Sequence, residues 1–194
     1  MTRTLRAELI GCAREMEARG LVAGRVGNVS VRSGNSVLIT PSRQPYARMR
    51  PGDLVAIDLC GMRLSGTRPA SRELPLHLAI YRRRPDVQAV IHTHSPHATA
   101  WSFLGEPLAP KTEEIAYYGI GDVLTNPPAP SGSSELAETA AATLGDGSAV
   151  LLGRHGALAA GPGLTEALEV ALAVEHQAQI ALLLRPISSH SGRL

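Results

Sequence analysis

The run Val-Gln-Ala-Val-Ile-His-Thr-His at residues 87–94 admits few structures. Val87, Val90 and Ile91 make it apolar and β-branched, which suits a buried strand. Residues two apart on a strand share a face, so His92 and His94 stand side by side with Thr93 turned away. Two imidazoles so placed share a metal ion if a third ligand arrives; alone, they equally suit strand-end histidines bonded to backbone or solvent. His155, in Leu-Leu-Gly-Arg-His-Gly-Ala after another short apolar run, is the candidate third ligand. Three histidines without a fourth protein ligand leave the metal's coordination open, the pattern of a catalytic rather than a structural zinc site.

The remaining elements are arranged around that strand. Leu5, Leu9, Cys12 and Met16 recur at helical spacing over residues 3–19, with Gly20 as the stop. A glycine-punctuated turn at 24–27 feeds a strand, Ser33-Gly34-Asn35 reverses it, and residues 36–40 return. Residues 54–59 and 62–65 form a second hairpin turning at Cys60-Gly61. Ser71 is the expected N-cap of a helix running through Leu74, Leu76, Leu78 and Ile80 to Arg82-Arg83-Arg84, where cations suit the helix dipole. Ser95 is the expected cap of a helix reaching Leu104. A Pro- and Gly-rich loop spans residues 105–132, with a short strand at 122–125. Residues 134–144 are helical, 149–152 and 157–160 are strands, and 164–184 form the last helix, followed by a frayed polar tail. Hairpins dominate the first half, which predicts a single α/β domain over residues 1–194 with a mostly antiparallel central sheet flanked by helices.

Bulk properties exclude several classes of function. A net charge of +2 and 3% aromatic residues give no platform for nucleic acid. Glu166, Glu169 and Glu175 interrupt the most apolar segment, which predicts a core helix and no membrane span. Cys12 and Cys60 read as reduced thiols of a cytoplasmic protein, and Arg3, Arg6 and Glu8 break any N-terminal leader.

Glu73 falls in the first turn of the helix that leads into the histidine strand. An acid there is favoured by the helix dipole, by about 0.3–1 kcal/mol. Beside a metal ion it serves as a general base. His77, four residues later on the same helical face, either orients that carboxylate or packs as an ordinary helix histidine.

Ser71-Arg72-Glu73 with His77, Arg84-Pro85-Asp86-Val87, His92-Thr93-His94-Ser95 and Arg154-His155-Gly156 together resemble the signature of the class II aldolase and adducin head family, over nearly the whole chain. The resemblance implies a three-layer fold and a Zn2+ ion held by His92, His94 and His155, with Glu73 as the acid/base. Imidazole ligands also accept Mn2+ or Co2+. It further implies a small phosphorylated keto-sugar such as L-fuculose 1-phosphate, cleaved to dihydroxyacetone phosphate and an aldehyde through a metal-stabilised enediolate. A homotetramer with sites at subunit interfaces is implied as well.

The family's phosphate site is built from turns rich in Gly, Ser and Thr, which maps here onto Gly27, Asn28, Ser42 and Ser71. A hairpin turn and an N-cap are the plain alternatives for Gly27-Asn28 and Ser71. Arg43 stands where the fuculose-phosphate aldolases have glycine, and Arg72 where they have serine; both are assigned to the substrate rim. Arg72 is also the feature that favours a decarboxylase, since a guanidinium grips a carboxylate bidentately. An epimerase and a non-catalytic adducin-like module are the remaining alternatives. Among nineteen basic residues the only lysine is Lys111, in the Pro-rich loop, a poor candidate for Schiff-base chemistry.

Overall fold

A computed structural model describes residues 2–109 and 112–191, with side chains through residue 185; Lys111 and the His190 side chain lie outside that range. The elements are α1 (Arg3–Ala18), β1 (Asn28–Ser33), β2 (Ser36–Ile39), β3 (Val55–Asp58), β4 (Arg63–Ser65), α2 (Leu74–Arg83) and β5 (Ala89–Thr93). They continue with α3 (Pro96–Ser102), α4 (Glu113–Tyr117), β6 (Thr125–Asn126), α5 (Ser134–Leu144), β7 (Ala149–Leu152), β8 (Gly156–Gly161) and α6 (Leu164–Ser191). Among the described residues the strands make one sheet in the order β4-β3-β2-β1-β5-β8-β7-β6. Only the β6–β7 pair is parallel.

Alternation along the strands divides the core into two layers. Ala89 and Ile91 of β5, with Ala157 and Ala159 of β8, face α1, α3 and α6. Val90, Leu158 and Ala160 face α2 and α5. On α6 the buried residues Ala167, Val170, Ala171, Val174, Ala178 and Ala181 keep helical spacing, so one apolar stripe lies on the sheet. The 164–185 stretch is apolar and long enough to span a bilayer by composition, but here that stripe is core. The expected α/β domain with helices on both faces of a mostly antiparallel sheet is therefore present.

Five local expectations are corrected. α4 forms inside the segment read as loop, where Thr112 precedes Glu113 and Glu114 in its first turn. The strand expected at 122–125 is Thr125–Asn126, while Val123 makes an isolated bridge to Leu108. α6 continues to Ser191. α2 begins two residues later than a Ser71 cap implies, which leaves Glu73 at the N-cap position with its side chain turned elsewhere; the Ser71 hydroxyl accepts from the Glu73 N–H at 3.2 Å. Ser95 stands at the start of α3 without a side-chain capping bond. The first amides of α3 go instead to the Glu175 carboxylate of α6, from His97 N at 3.0 Å and Ala98 N at 2.8 Å. His97 Nδ1 lies 2.7 Å from the same carboxylate.

Candidate active site

The central pair β1–β5 faces Asn28 to His92, and β5–β8 faces His92 to Leu158. Val90 packs on the α2 side, so His92, two residues on, points to that side as well, toward Glu73. His94 follows the end of β5, and its N–H is tied to Leu21 O at 3.1 Å. His155 is delivered by the tight β7–β8 turn, in which its N–H reaches Leu152 O at 2.9 Å and Arg154 takes a positive φ of 59°. β8 passes so near that a Cβ on Gly156 would press into the Thr93 carbonyl and within 3.4 Å of His92 Cε1.

Three imidazoles and one carboxylate converge there. The ring centroids of His92, His94 and His155 lie 4.7–4.8 Å from one another. Glu73 Oε2 is 3.0 Å from His92 Nε2, and Glu73 Oε1 is 3.3 Å from His155 Nε2. His92 Nε2 is 3.0 Å from His94 Nε2, and one ligand atom from each of the four residues lies within 4.8 Å of the others. His92 Nδ1 donates to Ala157 O at 2.9 Å, which turns Nε2 into the cluster. Burial, then the facing His92 and His155, pushes His94 down to about 4, and burial lowers His155 too, so both rings are neutral at physiological pH. Burial pushes the Glu73 carboxyl up, but the facing His92 and the donors on Asn28 and Ser131 outweigh it and hold the group ionised. Three imidazoles and a carboxylate converging on one point fit a divalent metal ion.

The carboxylate is held on both oxygens by protein donors. Asn28 Nδ2 donates to Oε2 at 2.9 Å and Ser131 Oγ to Oε1 at 2.7 Å. Glu73 is 5% exposed, so the helix-dipole reading does not account for its surroundings. His77 is not merely packed: it is completely buried and bonded through both ring nitrogens, to Asn28 Oδ1 and Ser30 Oγ.

A cavity of about 600 Å³ opens over this cluster. Gly27, Asn28, Ser42, Arg43, Ser71 and Arg72 all line it, together with Glu73, His94 and His155, while His92 lies behind them with no exposed surface. Backbone bonds bring the turns together: Ser42 N to Pro69 O at 3.0 Å and Ser71 N to Thr40 O at 3.1 Å. The Tyr46 hydroxyl pins the first turn by donating to Gly27 O at 2.7 Å. Gly27 has φ 75°, and a Cβ there would strike Val22 and the His92 carbonyl, so the turn requires glycine. Arg43 takes φ 58°, the backbone a glycine would adopt, while adding a guanidinium to the cavity lining. Arg25 and Ser131, not singled out in the sequence, also line the cavity. Arg72 Nη2 is 3.1 Å from Ser131 Oγ. Nothing near Ser131 in sequence marks it; it is a small polar residue in a Pro-Ser-Gly turn, brought in by tertiary packing alone.

Residues 7–182 match the family model described as Class II Aldolase and Adducin N-terminal domain. A 5-methylthioribulose-1-phosphate/5-deoxyribulose-1-phosphate aldolase of Rhodospirillum rubrum is 40% identical over 90% of this chain and 79% of its own length. An L-fuculose phosphate aldolase of Escherichia coli O6:H1 is 39% identical over 92% of this chain and 82% of its own. A solved L-fuculose 1-phosphate aldolase superposes with a TM-score of 0.93 at 33% identity, covering 96% of this chain and 89% of that one.

Proposed function

Since the chain belongs to the class II aldolase and adducin N-terminal domain family, we propose that it is a metal-dependent aldolase cleaving a phosphorylated keto-sugar to dihydroxyacetone phosphate and an aldehyde. The observation that carries this reading is one buried, ionised carboxylate, Glu73, set among three imidazoles beneath a cavity rimmed by turns and arginines. His92, His94 and His155 would hold a zinc ion, or Mn2+ or Co2+ in its place. Such an ion supplies Lewis acidity to the ketose carbonyl and its neighbouring hydroxyl.

The chain's own groups divide the remaining work. The amides and hydroxyls at Gly27, Asn28, Ser42 and Ser71, with the guanidinium of Arg43, suit a phosphate dianion. Both amide groups of the Asn28 side chain are already engaged, by Glu73 and His77, so its share in anion binding falls to the backbone of the turn. Glu73 exchanges a proton with the carbon beside the ketose carbonyl. In condensation the ionised carboxylate takes that carbon's proton and the aldehyde oxygen gains one. In cleavage the hydroxyl of the departing carbon loses its proton as the carbon–carbon bond breaks, and Glu73, having taken up a proton, returns one to the carbon left behind. Asn28 and Ser131 hold the carboxylate for that exchange.

The substrates for which the two relatives are named, L-fuculose phosphate and 5-deoxy- or 5-methylthioribulose 1-phosphate, support a phospho-ketose with a small apolar end. The solvent-exposed apolar residues Phe103, Leu104, Tyr117, Tyr118 and Leu183, on or just after α3, α4 and α6, support a homotetramer with sites at its interfaces. The free thiols of Cys12 and Cys60 support a cytoplasmic setting. One observation favours a second reading, decarboxylation: Arg25, Arg43 and Arg72 together bring more positive charge to the cavity than a single phosphate requires.

The test is direct. The purified protein should carry near one zinc per chain and release dihydroxyacetone phosphate from L-fuculose 1-phosphate or from 5-deoxyribulose 1-phosphate. A chelator should abolish the activity and added zinc restore it. Full activity in metal-free protein, or no cleavage of any phosphorylated ketose, overturns the reading.

A further inference from the structure

We infer that His77 is a positioning residue which, acting through Asn28, sets the direction in which Glu73 is held. The inference deepens the proposed aldolase function, because it concerns the carboxylate assigned the proton exchange.

A single hydrogen-bonded file runs from the protein interior to that carboxylate. Tyr81 Oη is 2.7 Å from Ser30 Oγ, and Ser30 Oγ is 2.6 Å from His77 Nδ1. His77 Nε2 meets Asn28 Oδ1, and Asn28 Nδ2 lies 2.9 Å from Glu73 Oε2. His77, Ser30 and Tyr81 are at most 1% exposed and Asn28 is 4% exposed, so water supplies no alternative partner to the file.

The direction of every link follows from its ends. An ionised carboxylate accepts and cannot donate, so Asn28 must turn its NH2 toward Glu73 and its oxygen toward His77. His77 Nε2 must then carry the hydrogen. The ring is buried and neutral, with one hydrogen only, so Nδ1 is an acceptor and the Ser30 hydroxyl donates to it. The Ser30 oxygen, its hydrogen spent, accepts from Tyr81. The file therefore has one polarity, from the Tyr81 hydroxyl to Glu73 Oε2.

An amide side chain has two nearly isosteric orientations, and the groups at both its ends distinguish them here. With His77 in place, a flipped Asn28 would set NH2 against an N–H donor and its carbonyl against the carboxylate, two repulsive contacts. With an aliphatic side chain at 77, the buried Asn28 oxygen loses its donor, and the amide is held from the Glu73 side alone. β1 pairs directly with β5, Asn28 opposite His92, so the file runs along the strand next to the one that carries His92.

The experiment compares His77→Leu with His77→Gln in the zinc-loaded enzyme. Gln is chosen because its amide N–H can replace the Nε2 donor. If His77 positions the carboxylate, His77→Leu lowers kcat by about 10- to 100-fold with KM and zinc content little changed, and His77→Gln recovers most of that loss. Nitrogen-15 spectra of the wild type should show His77 as the neutral tautomer protonated on Nε2. The Asn28 side-chain amide protons should exchange slowly in the wild type and quickly in His77→Leu. A ring protonated on Nδ1, or equal loss of kcat in both variants in step with their loss of thermal stability, overturns the inference. A wild type that cleaves no phosphorylated ketose overturns the proposed function instead. The Asn28 exchange rates then decide the role of His77: faster exchange in His77→Leu supports it and unchanged exchange overturns it.

Discussion

Ser131 donates to Glu73 Oε1 at 2.7 Å across 58 residues of chain, and so closes the second oxygen of a carboxylate whose first is held by Asn28. Arg72 reaches the same hydroxyl, so the turn before α5 and the turn before α2 form one wall of the cavity. Gly132 keeps that wall tight: with φ 80°, it lies where a Cβ would come within 2.9 Å of the Arg72 backbone oxygen.

Replacing Ser131 by Ala should weaken the hold on Glu73 without removing the metal. The lost donor bonded the charged form, so the carboxyl should titrate at higher pH than in the wild type. The acid limb of kcat/KM should move upward and kcat should fall by about tenfold, in keeping with one hydrogen bond to a charged group. Superimposable pH profiles would show that the contact is incidental.

Glu73→Gln should keep its zinc and fold normally, yet lose turnover on the order of 10²-fold or more, as for a missing general base. If turnover is unchanged while melting temperature drops, Glu73 is only a favourable charge at a helix start.

Acid should destabilise the metal-free protein earlier than its carboxylates alone require. Complete burial, then His92, pushes His77 down to about 3, and burial pushes His94 down to about 4, from an unfolded value of 6.5. Between those limits the unfolded chain binds more protons, so stability rises with pH. It is whole above 6.5 and drains as pH falls through the window. Denaturant midpoints measured from neutral pH to about pH 4 should decline accordingly, and His77→Gln should flatten the decline. An unchanged slope in that variant would show that His77 takes no part.

Arg72→Ala separates the two chemistries considered for the site. Assayed on a phosphorylated ketose and on its carboxylated counterpart, the variant should lose activity on both alike if the guanidinium serves the phosphate. A loss confined to the acid would identify a carboxylate grip and a decarboxylase.

Gly156→Ala should cost more than its single methyl suggests. The added carbon presses on the Thr93 carbonyl, which is backbone between His92 and His94 and cannot step aside. A fall in melting temperature with weakened zinc retention is expected. Wild-type values for both would mean that β8 has room to move.

Much of this site was readable in the sequence because period-2 alternation alone puts His92 and His94 on one face, and short apolar runs flanked by turns locate the strands. The apolar run before His155 marked it as a candidate third ligand, and the resemblance added the order of the elements and the turns assigned to phosphate. What stayed hidden are partners chosen by tertiary packing. Ser131 has no periodicity to betray it. Glu175 reads as a solvated helix charge, although its carboxylate caps another helix. His77 has the spacing of a packed helix histidine, and only coordinates reveal that both its nitrogens are used. α4 is a single short turn of helix in a segment whose prolines and glycines argue for loop.

His92 Nδ1 and Ala157 O are 65 residues apart in the chain, and their bond exists only where β5 and β8 lie paired. That pairing is a large loop closure, of the kind that comes late in folding. A growing polypeptide can complete the β1–β2 hairpin and the β1–β5 pair while still lacking both His155 and the carbonyl that orients His92. The imidazole triad therefore comes into being only with the last strand of the sheet, so the complete set of three rings exists in the finished fold and in no shorter stretch of the growing chain.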